Sequence, residues 1–465
     1  MTSQLFEPLR LELQPLADRF AAAGHRLFLV GGTVRDLLLG ASLTSAEFDV
    51  DATTTAHPEE IKRLLHGWAD SIWTQGERFG TIGAVKRVPG DGPGASIRRI
   101  YEITTHRAEA YDNDSRKPTV QFSADLRTDL SRRDFTVNAM AIDLTAASAH
   151  GAAHGSATGD PVIDLVIVDP FGGRVDLAAR RLRTPLSPEL SFSDDPLRML
   201  RAARFIAKYE LVPTAELTDA VVAMADRLVV VSVERIRDEL HKLLAAPHPA
   251  AGLWFCAQTK VLEHVLPELA ASPVSCLEDA IRAVDPSPGQ DARLGDPFDL
   301  RLVRLAALTD HLDRPEVRMN RLRHPSVDVR AVESIVRGAR RLRALAEDAT
   351  AVADGDLRRL VVVASPWLAE AVELAFRRAV ADGPTRATLM QMSQRLAALA
   401  ATEDLAQLGP EIDGLEVMKL LQVPAGRDVG VALDYLRTLR LDEGPIGAER
   451  AAQRLRSWWA QRAAT

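Results

Sequence analysis

The segment HRLFLVGGTVRDLLLG (25–40) predicts a buried strand, a turn at Gly31-Gly32 and a short helix that Gly40 terminates. The free N–H groups and the dipole at the N-terminus of such a helix favour an anion beside the turn. Arg35 adds a positive charge one turn into the helix. This arrangement predicts a phosphate-binding site.

The stretch EFDVDATT (47–54) follows a short polar loop and alternates as a strand does over Phe48–Ala52. Because alternate residues of a strand point to the same side, Asp49 and Asp51 share one face. Two neighbouring carboxylates suit hard divalent cations that also bind phosphate oxygens. Each feature alone is typical of an ordinary turn or an exposed strand edge, but their close spacing predicts nucleotide chemistry.

Length and charge narrow the class of protein. A chain of 465 residues is too long for one core and predicts about three or four domains or subdomains. The net charge of −7 argues against a uniformly basic nucleic-acid binder, so any nucleic acid must meet a local basic surface. Cys256 and Cys276 favour reduced core thiols over a disulfide framework. With no signal peptide and no apolar run near the roughly 18 residues of a membrane span, we expect a cytoplasmic protein without membrane contact.

The organisation changes at about residue 175. Strands and helices mix before it, whereas long Ala/Leu/Arg segments of helical period follow it without convincing strands, so the fold class is α+β. Residues 88–95 predict a hairpin loop, and 146–160 predict a flexible surface insertion. The candidate strands are Leu27–Val30, Phe48–Ala52, Thr81–Arg87, Arg99–Thr104, Thr119–Phe122 and Val137–Leu144.

The segment LSRRDFTVNAMAIDL (130–144) places Arg132, Arg133 and Asp134 before an apolar run. The simplest interpretation is a solvated helix start with Asp134 as its cap. The alternative is an arginine directed at a triphosphate or ribose, with Asn138 positioning it.

Glu102, in RRIYEITTHR (98–107), is predicted on a strand next to the one that carries the two aspartates. It is either a third carboxylate at the metals or an ordinary edge-strand glutamate. The sequence leaves both interpretations open.

The segment SFSDDPLRMLRAARFIAKY (191–209) predicts a helix that Ser193 or Asp194 caps, with Pro196 in its first turn. Such a helix is most often amphipathic with a charged outer face. A charged residue recurs every three positions and forms one slanted stripe: Asp195, Arg198, Arg201 and Arg204.

The first two members of this stripe also match the edges of two bases. Cytosine and adenine each present an amino donor beside a ring-nitrogen acceptor, whereas uracil and guanine present the opposite order. Aspartate accepts and arginine donates. The pair Asp195/Arg198 therefore offers a way to select C and A without a nucleic-acid template.

Together these motifs resemble the class II tRNA nucleotidyltransferases, that is, the bacterial CCA-adding enzymes and their poly(A) polymerase relatives, along nearly the whole chain. LVGGTVRD and FDVDATT resemble the nucleotidyltransferase signature and its catalytic pair. The further matching segments are EITTHRAEAYDNDSRKPTVQF (102–122, a flexible loop), DLSRRDFTVNAMA (129–141), VDPFGGRVDL (168–177), DDPLRMLRAARF (194–205, a base-reading helix that usually begins Glu-Asp), ERIRDELHKLL (234–244) and the tail segment 411–446.

The resemblance implies an N-terminal nucleotidyltransferase α/β head with a small mixed sheet, followed by an all-α neck, body and tail. The corresponding boundaries are 1–175, 176–245, 246–345 and 346–465. The implied catalytic residues are Asp49, Asp51 and Glu102, of which Asp49 and Asp51 bind Mg²⁺. The implied nucleotide-binding residues are Gly31, Gly32, Arg35, Arg133, Asp195, Arg198, Arg201 and Arg204.

One segment departs from the family pattern. Many bacterial relatives carry a phosphohydrolase region with a His-Asp pair in a stretch like LAALLHDIGKP. The same place here reads LAALTDHLDRP (305–315), with Thr309-Asp310 in place of that pair. A metal ligand is missing, so we expect this region to be structural.

The implied activity is the addition of C, C and A to tRNA from CTP and ATP, with no membrane and no obligate protein partner. The alternatives are an A-only or CC-only tRNA nucleotidyltransferase, a poly(A) polymerase, or a non-catalytic RNA-binding protein. The paired aspartates argue against the last, because a binder has no need of them. The expected tRNA-contacting arginines are Arg318, Arg321, Arg323, Arg337, Arg340, Arg341 and Arg343.

Overall fold

The structure is a computed structural model that describes residues 2–42, 48–90, 94–110, 119–122, 125–149, 167–285, 298–348, 352–379 and 383–463. The chain divides into two compact units, Met1–Val230 and Val231–Thr465. The division into head, neck, body and tail is finer than this and stays a prediction.

The N-terminal unit contains a mixed sheet. Its strands, within the described residues, are β1 (Leu27–Val30), β2 (Val50–Thr54), β3 (Ser71–Trp73), β4 (Thr81–Pro89), β5 (Ser96–Thr105), β6 (Arg107–Ala110), β7 (Thr119–Phe122), β8 (Ala141–Asp143), β9 (Ile167–Val168), β10 (Arg181–Leu182) and β11 (Val212–Pro213). Seven of them form one sheet in the order β3-β4-β5-β2-β1-β8-β9. Strands β2 and β5 pair in parallel, and the other neighbours in this sheet are antiparallel. This confirms the small mixed sheet.

The helices of this unit lie before, between and after the strands in the chain. They are α1 (Thr2–Ala22), α2 (Gly32–Leu38), α3 (Pro58–Leu65), α4 (Leu126–Ser131), α5 (Leu144–Ala149), α6 (Gly173–Ala178), α7 (Pro188–Asp194), α8 (Leu197–Tyr209) and α9 (Ala215–Met224). Short 3₁₀ helices span Glu77–Phe79, Thr136–Asn138 and Ala225–Val230.

The two faces of the sheet differ. On one face, strand residues such as Val50, Ala52 and Tyr101 are buried in a hydrophobic core with side chains of α1 and α3. On the other face, Phe28 and Val30 of β1 pack in a smaller cluster with residues of α4 and β8. Because strand residues alternate, Asp51 of β2 and Glu102 of β5 lie on this second face.

Some boundaries match the sequence predictions and others do not. The predicted strand Phe48–Ala52 is observed as β2, Val50–Thr54, so Asp49 lies just before the strand. Strands β1 and β7 begin and end where predicted. The predicted strand Val137–Leu144 is wrong at both ends, since a 3₁₀ helix covers Thr136–Asn138 and α5 begins at Leu144. The short pair β10-β11 also contradicts the expected lack of strands after residue 176. Most of the predicted insertion, from residue 150 onward, lies outside the described residues.

The described part of the C-terminal unit is helical, which confirms the expected helical fold from Val231 onward. Its helices are α10 (Val233–Leu244), α11 (Pro249–Gln258), α12 (Val261–Val265), α13 (Pro267–Ala270), α14 (Val274–Val284), α15 (Leu300–Thr309), α16 (Pro315–Arg321), α17 (Ser326–Glu347), α18 (Asp354–Ala364), α19 (Leu368–Arg378), α20 (Pro384–Thr402), α21 (Gly414–Leu421), α22 (Arg427–Glu443) and α23 (Ala448–Ala463). Across both units, none of the described helices has the length and apolar character that a membrane span requires.

Candidate active site

Strand β1 ends at a turn that requires glycine. Gly31 has a φ of 66°, a conformation that residues with a side chain rarely adopt. A Cβ atom at this position would lie 2.8 Å from Nη1 of Arg133 and 3.5 Å from Oδ2 of Asp51. The glycine therefore lets the backbone approach one cation and one carboxylate directly.

Thr33, in the first turn of α2, holds the start of β2 against this turn. The backbone N–H of Asp51 donates to Oγ1 of Thr33 at 2.7 Å, and the same hydroxyl donates to the carbonyl oxygen of Asp49 at 3.3 Å. One side chain thus positions both aspartates. Sequence reasoning missed Thr33, although its place directly after the two glycines was an available signal.

Asp51 of β2 and Glu102 of β5 lie on one face of the sheet, and Asp49 directly precedes β2. The parallel register pairs Asp51 with Glu102, which confirms that their strands are neighbours. The pKa of Asp51 is raised to about 6, and burial is the largest cause. The carboxylates of Glu102 and Asp49 contribute to this rise, and the guanidinium groups of Arg133 and Arg35 oppose it. Partial burial also raises the pKa of Asp49.

The donor chemistry of Asp49 and Asp51 fits a hard divalent cation. Carboxylate oxygens are the ligands that such ions prefer, and a cation would offset the cost of burying the charge of Asp51. Within the described ranges, no set of three or more His, Cys, Asp or Glu side chains is arranged to hold a metal ion. Two carboxylates leave further coordination positions for oxygens of water or of a phosphate. A metal-ligand role for Glu102 stays a prediction.

Arg133 lies between the glycine turn and the carboxylates. Its Nη1 is the atom nearest to a Cβ built on Gly31, and its charge lowers the pKa of Asp51. On the other side, its Nη2 donates to Oδ2 of Asp129 at 3.3 Å. The buried Asp129 also accepts the backbone N–H of Arg107 at 3.2 Å. Arg133 thus lies beside both the glycine turn and Asp51, and its contact with a phosphate stays a prediction.

Arg35 is buried, and its guanidinium is bound within the protein. Its Nε and Nη2 donate to the carboxylate of Asp36 at 2.8 and 3.0 Å, and its Nη1 donates to Oδ1 of Asn138 at 2.5 Å. The guanidinium carbon lies 4.2 Å from the centroid of the Tyr209 ring. Arg35 therefore joins α2 to α8, and its direct contact with a triphosphate stays a prediction.

Asp134 lies at the same junction and does not cap a regular helix. Its Oδ1 accepts hydrogen bonds from Nδ2 of Asn138 at 2.8 Å and from the backbone N–H of Phe135 at 2.9 Å. Nη2 of Arg201 lies 2.6 Å from its Oδ2. Burial alone would raise the pKa of Asp134, but Arg201, the Asn138 hydrogen bond and Arg198 together lower it below the ordinary value of 3.8.

The helical conformation is interrupted at Asp195, between α7 and α8. Pro196 disfavours a helical conformation at the residue before it, and Asp195 is extended, with φ −144° and ψ 99°. Oδ1 of Asp195 accepts the backbone N–H of Leu197 at 3.2 Å. The predicted caps, Ser193 and Asp194, belong to α7 instead, so that prediction is wrong.

The arginine stripe of α8 is half-buried. Nη1 of Arg198 donates to Oγ of Ser191 at 2.9 Å and to the Ser191 carbonyl at 3.3 Å, and its Nη2 donates to the carbonyl oxygen of Arg132. The guanidinium carbon of Arg204 lies 4.7 Å from the centroid of the Phe205 ring. Arg198 thus connects α8 to the segment that carries Arg133.

The predicted flexible loop is described only at its ends. Residues 107–110 and 119–122 pair as β6 and β7. The residues between them, 111–118, lie outside the described ranges.

In the C-terminal unit, Asp310 is surrounded by arginines. Arg340, Arg343 and Arg378 approach its carboxylate at 3.2, 3.0 and 3.1 Å. The neighbouring Thr309 is buried. These ion pairs give Asp310 a role inside the helical packing.

The predicted RNA-contacting arginines of this unit differ in their surroundings. Arg318 is buried and donates twice to the carboxylate of Glu268, at 2.6 Å each. Arg323 is exposed and pairs with Glu234. Arg337 and Arg341 are also exposed. Their contact with RNA stays a prediction.

Two sequence families match the chain. Residues 27–183 match the family described as the poly A polymerase head domain. Residues 213–272 match the probable RNA and SrmB-binding site of polymerase A. The first match contains the glycine turn and all three carboxylates.

Curated relatives and solved structures agree with these matches. The chain is 36% identical over 248 residues to a CCA-adding enzyme of Geobacillus thermodenitrificans, covering 53% of this chain and 52% of that protein. It is 37% identical over 256 residues to one of Lactobacillus helveticus, with 55% of each covered. The chain thus spans about half the length of the curated relatives it matches.

Among solved structures, the Bacillus stearothermophilus CCA-adding enzyme in complex with CTP is 25% identical with a TM-score of 0.65, over 97% of this chain and 98% of that one. The Thermotoga maritima CCA-adding enzyme in complex with tRNA is 20% identical with a TM-score of 0.64, over 98% and 97%. The second likeness shows the fold alone.

Proposed function

Since the chain belongs to the class II tRNA nucleotidyltransferase and poly(A) polymerase family, we propose that it adds C, C and A to the 3′ end of tRNA. The substrates are CTP and ATP, pyrophosphate is released, and no nucleic-acid template is used. The curated relatives are CCA-adding enzymes, and similar solved structures contain CTP, ATP or tRNA. This role also places the protein with tRNA in the cytoplasm.

One observation supports the chemistry most directly, namely the contact of the glycine turn with Arg133 and Asp51. The triphosphate binds at this turn, where Gly31 lets its oxygens approach the backbone and Arg133 offsets their charge. The bonds of Thr33 to β2 hold Asp49 and Asp51 in place while the 3′-hydroxyl of tRNA attacks the α-phosphorus.

Mg²⁺ is the cation that Asp49 and Asp51 would hold. When bound, it lowers the pKa of the attacking hydroxyl and stabilises charge on the leaving oxygens. Binding has a readout apart from activity, because a ligand of the folded state stabilises it. We expect Mg²⁺ with CTP to raise the melting temperature of the wild-type protein, and to raise that of Asp51→Asn much less. Equal shifts would contradict the metal assignment.

Asp195 and Arg198 would read the base. Arg198 has five N–H donors, and its bonds to Ser191 and to the carbonyl oxygen of Arg132 orient it at the break between α7 and α8. Its remaining donors and the Asp195 carboxylate match the acceptor and amino donor that cytosine and adenine share. Arg201 and Arg204 support this pair or bind phosphate.

The decisive experiment offers the protein tRNA ending at the discriminator base, at the first C or at the second C, with CTP, ATP or both. We expect two C residues with CTP alone and a complete CCA end with both nucleotides. Addition of A only, of C only or of a long A tail would identify one of the alternative polymerases. Tight tRNA binding without any addition would instead identify a non-catalytic RNA-binding protein.

A further inference from the structure

A single row of paired residues crosses the sheet from its edge to the catalytic carboxylates. Trp73 of β3 pairs with Gly83 of β4, and Gly83 pairs with Glu102 of β5. Glu102 pairs in turn with Asp51 of β2. Directly paired residues share one face of a sheet, so the half-buried Trp73 side chain lies on the carboxylate face. Three strand spacings of about 4.8 Å make the row about 14 Å long.

Gly83 provides the space for the indole of Trp73. A Cβ at Gly83 would lie only 2.0 Å from Cε2, 2.2 Å from Cζ2 and 2.4 Å from Nε1 of Trp73. The indole ring of Trp73 therefore lies over Gly83. This position is closer to Glu102 than the ring would be above its own strand, β3. Glu102 itself is exposed, so the row is open to a ligand between the ring and the carboxylates.

The phosphate-binding turn lies on the opposite side of the carboxylate strand. Strand β1, which ends at Gly31, borders β2 on one side, and β5 borders it on the other. In an in-line displacement, the attacking and leaving oxygens lie on opposite sides of the reacting phosphorus. With pyrophosphate leaving beside Gly31 and Arg133, the attacking 3′-hydroxyl approaches over β5 and β4. Trp73 lies on that side.

We propose that Trp73 is a stacking platform for the base of the 3′-terminal nucleotide of the RNA, an inference that rests on the proposed function. This base changes with every addition, so the site that holds it must accept different bases. Stacking on an aromatic ring meets this requirement, because every base has a π-face. A nucleotide above Glu102 connects the two ends of the row, with its base on Trp73 and its 3′-hydroxyl toward Asp51.

Steady-state kinetics of the full-length protein with tRNA lacking its CCA end tests the platform. For Trp73→Ala we expect the KM for tRNA to rise about 5- to 150-fold, which corresponds to about 1–3 kcal/mol of stacking. The KM values for CTP and ATP should not change. Trp73→Phe keeps a ring and should remain close to wild type. The matched control is Ile100→Ala, which removes an exposed apolar side chain from the same face of β5 and should change neither KM.

Two altered substrates measure the stacking itself. A tRNA with 2-aminopurine as its 3′-terminal base should lose fluorescence on binding to wild type and retain it on binding to Trp73→Ala. A tRNA with an abasic 3′-terminal nucleotide should bind wild type about as weakly as normal tRNA binds Trp73→Ala. Trp73→Ala should then bind the abasic tRNA no more weakly than it binds normal tRNA, because the two changes remove the same contact.

The outcomes separate this inference from the function on which it rests. If wild type adds no nucleotide to any tRNA, the proposed function fails, while the fluorescence measurement, which needs no addition, still tests the platform. If wild type extends tRNA and Trp73→Ala does so with unchanged KM and full quenching, only the platform is overturned. A rise in the KM for CTP and ATP alone also overturns it, since the ring would then contact the incoming nucleotide. Should Trp73→Ala fail to fold, Trp73→Leu, which keeps an apolar side chain but no ring, replaces it in the kinetic and fluorescence measurements.

Discussion

Two aspartates of the N-terminal unit, Asp51 and Asp134, lie near arginines but differ in how the protein compensates their burial. For Asp51, burial and the neighbouring carboxylates dominate and raise its pKa to about 6. For Asp134, Arg201 and its other partners outweigh burial and lower the pKa. A carboxylate that the protein neutralises itself stabilises the fold. A carboxylate left partly uncompensated, as Asp51 is beside the proposed phosphate site, is suited to a cation that arrives with the substrate.

The largest expected effect tests the proposed cation-binding role of Asp51. Asp51→Asn should lower the rate of CMP incorporation into tRNA by at least about 10³-fold, because losing a metal ligand raises the barrier by several kcal/mol. Single-turnover incorporation of labelled CMP measures it, with circular dichroism as the check on folding. Asp18→Asn, an exposed aspartate of α1, is the control. A rate within tenfold of wild type for Asp51→Asn would remove Asp51 from the metal site.

The structural role of Asp134 predicts that removing its carboxylate lowers the stability of the protein. Asp134→Ala leaves the guanidinium of Arg201 without its carboxylate and should lower the free energy of unfolding by about 2–4 kcal/mol. Removing one partner of a fully buried ion pair costs about 3–5 kcal/mol. The loss expected here is smaller, because the Arg201 side chain is 35% exposed. Urea unfolding followed by circular dichroism measures the change. The comparison fails if Asp51→Asn is destabilised as much as Asp134→Ala.

Local patterns in the sequence predicted the elements that carry the site. Four consecutive apolar residues followed by Gly31-Gly32 located β1 and its turn. Alternation predicted the face of Asp51, although β2 begins one residue after Asp49. The neighbouring position of the strands that carry Asp51 and Glu102 was also expected, whereas their parallel direction was not predicted. These features depend on residues close in sequence or on periods that a strand imposes.

The junction around Asp134 could not be predicted in the same way. Arg35 binds Asn138, 103 residues away, and no periodicity in the sequence signals such a pair. The amide of Asn138 also bonds to Asp134, and side-chain bonds of this kind compete with a strand. This explains why a 3₁₀ helix replaces the start of the predicted strand Val137–Leu144. The break at Asp195 follows from Pro196, which disfavours a helical conformation at the residue before it.

Arg198 sharpens the comparison, because it contributes to the low pKa of Asp134 and is also the proposed base reader. If it reads the base, Arg198→Ala should reduce the preference for CTP over UTP about tenfold, since each unsatisfied buried group costs about 1–3 kcal/mol. Relative kcat/KM for the four nucleotides on one tRNA measures this. Lys208→Ala, an exposed cation of the same helix, is the control. Unchanged discrimination with reduced stability would make Arg198 a structural partner of Asp134 only.

The smallest effect separates the two aspartates by pH. The folded-state pKa of Asp134 lies below 3.8. Its negative charge therefore stabilises the protein above about pH 4, and this stabilisation disappears as the pH falls through the folded-state pKa. Wild type should therefore exceed Asp134→Asn by about 1 kcal/mol in free energy of unfolding from pH 7 to 5, since partial exposure of Arg201 weakens the pair. This difference should shrink below about pH 4.

Asp51 should show the opposite sign in a different pH window. Its folded-state pKa is raised to about 6, so the folded protein binds more protons than the unfolded chain between about pH 4 and 6. In EDTA, wild type should then lose stability relative to Asp51→Asn as the pH rises through that window. Urea unfolding at intervals between pH 3.5 and 7 measures both differences. If the Asp134→Asn and Asp51→Asn differences change with pH in the same direction, the two carboxylates are not compensated differently, and the contrast between a structural and a cation-binding aspartate is lost.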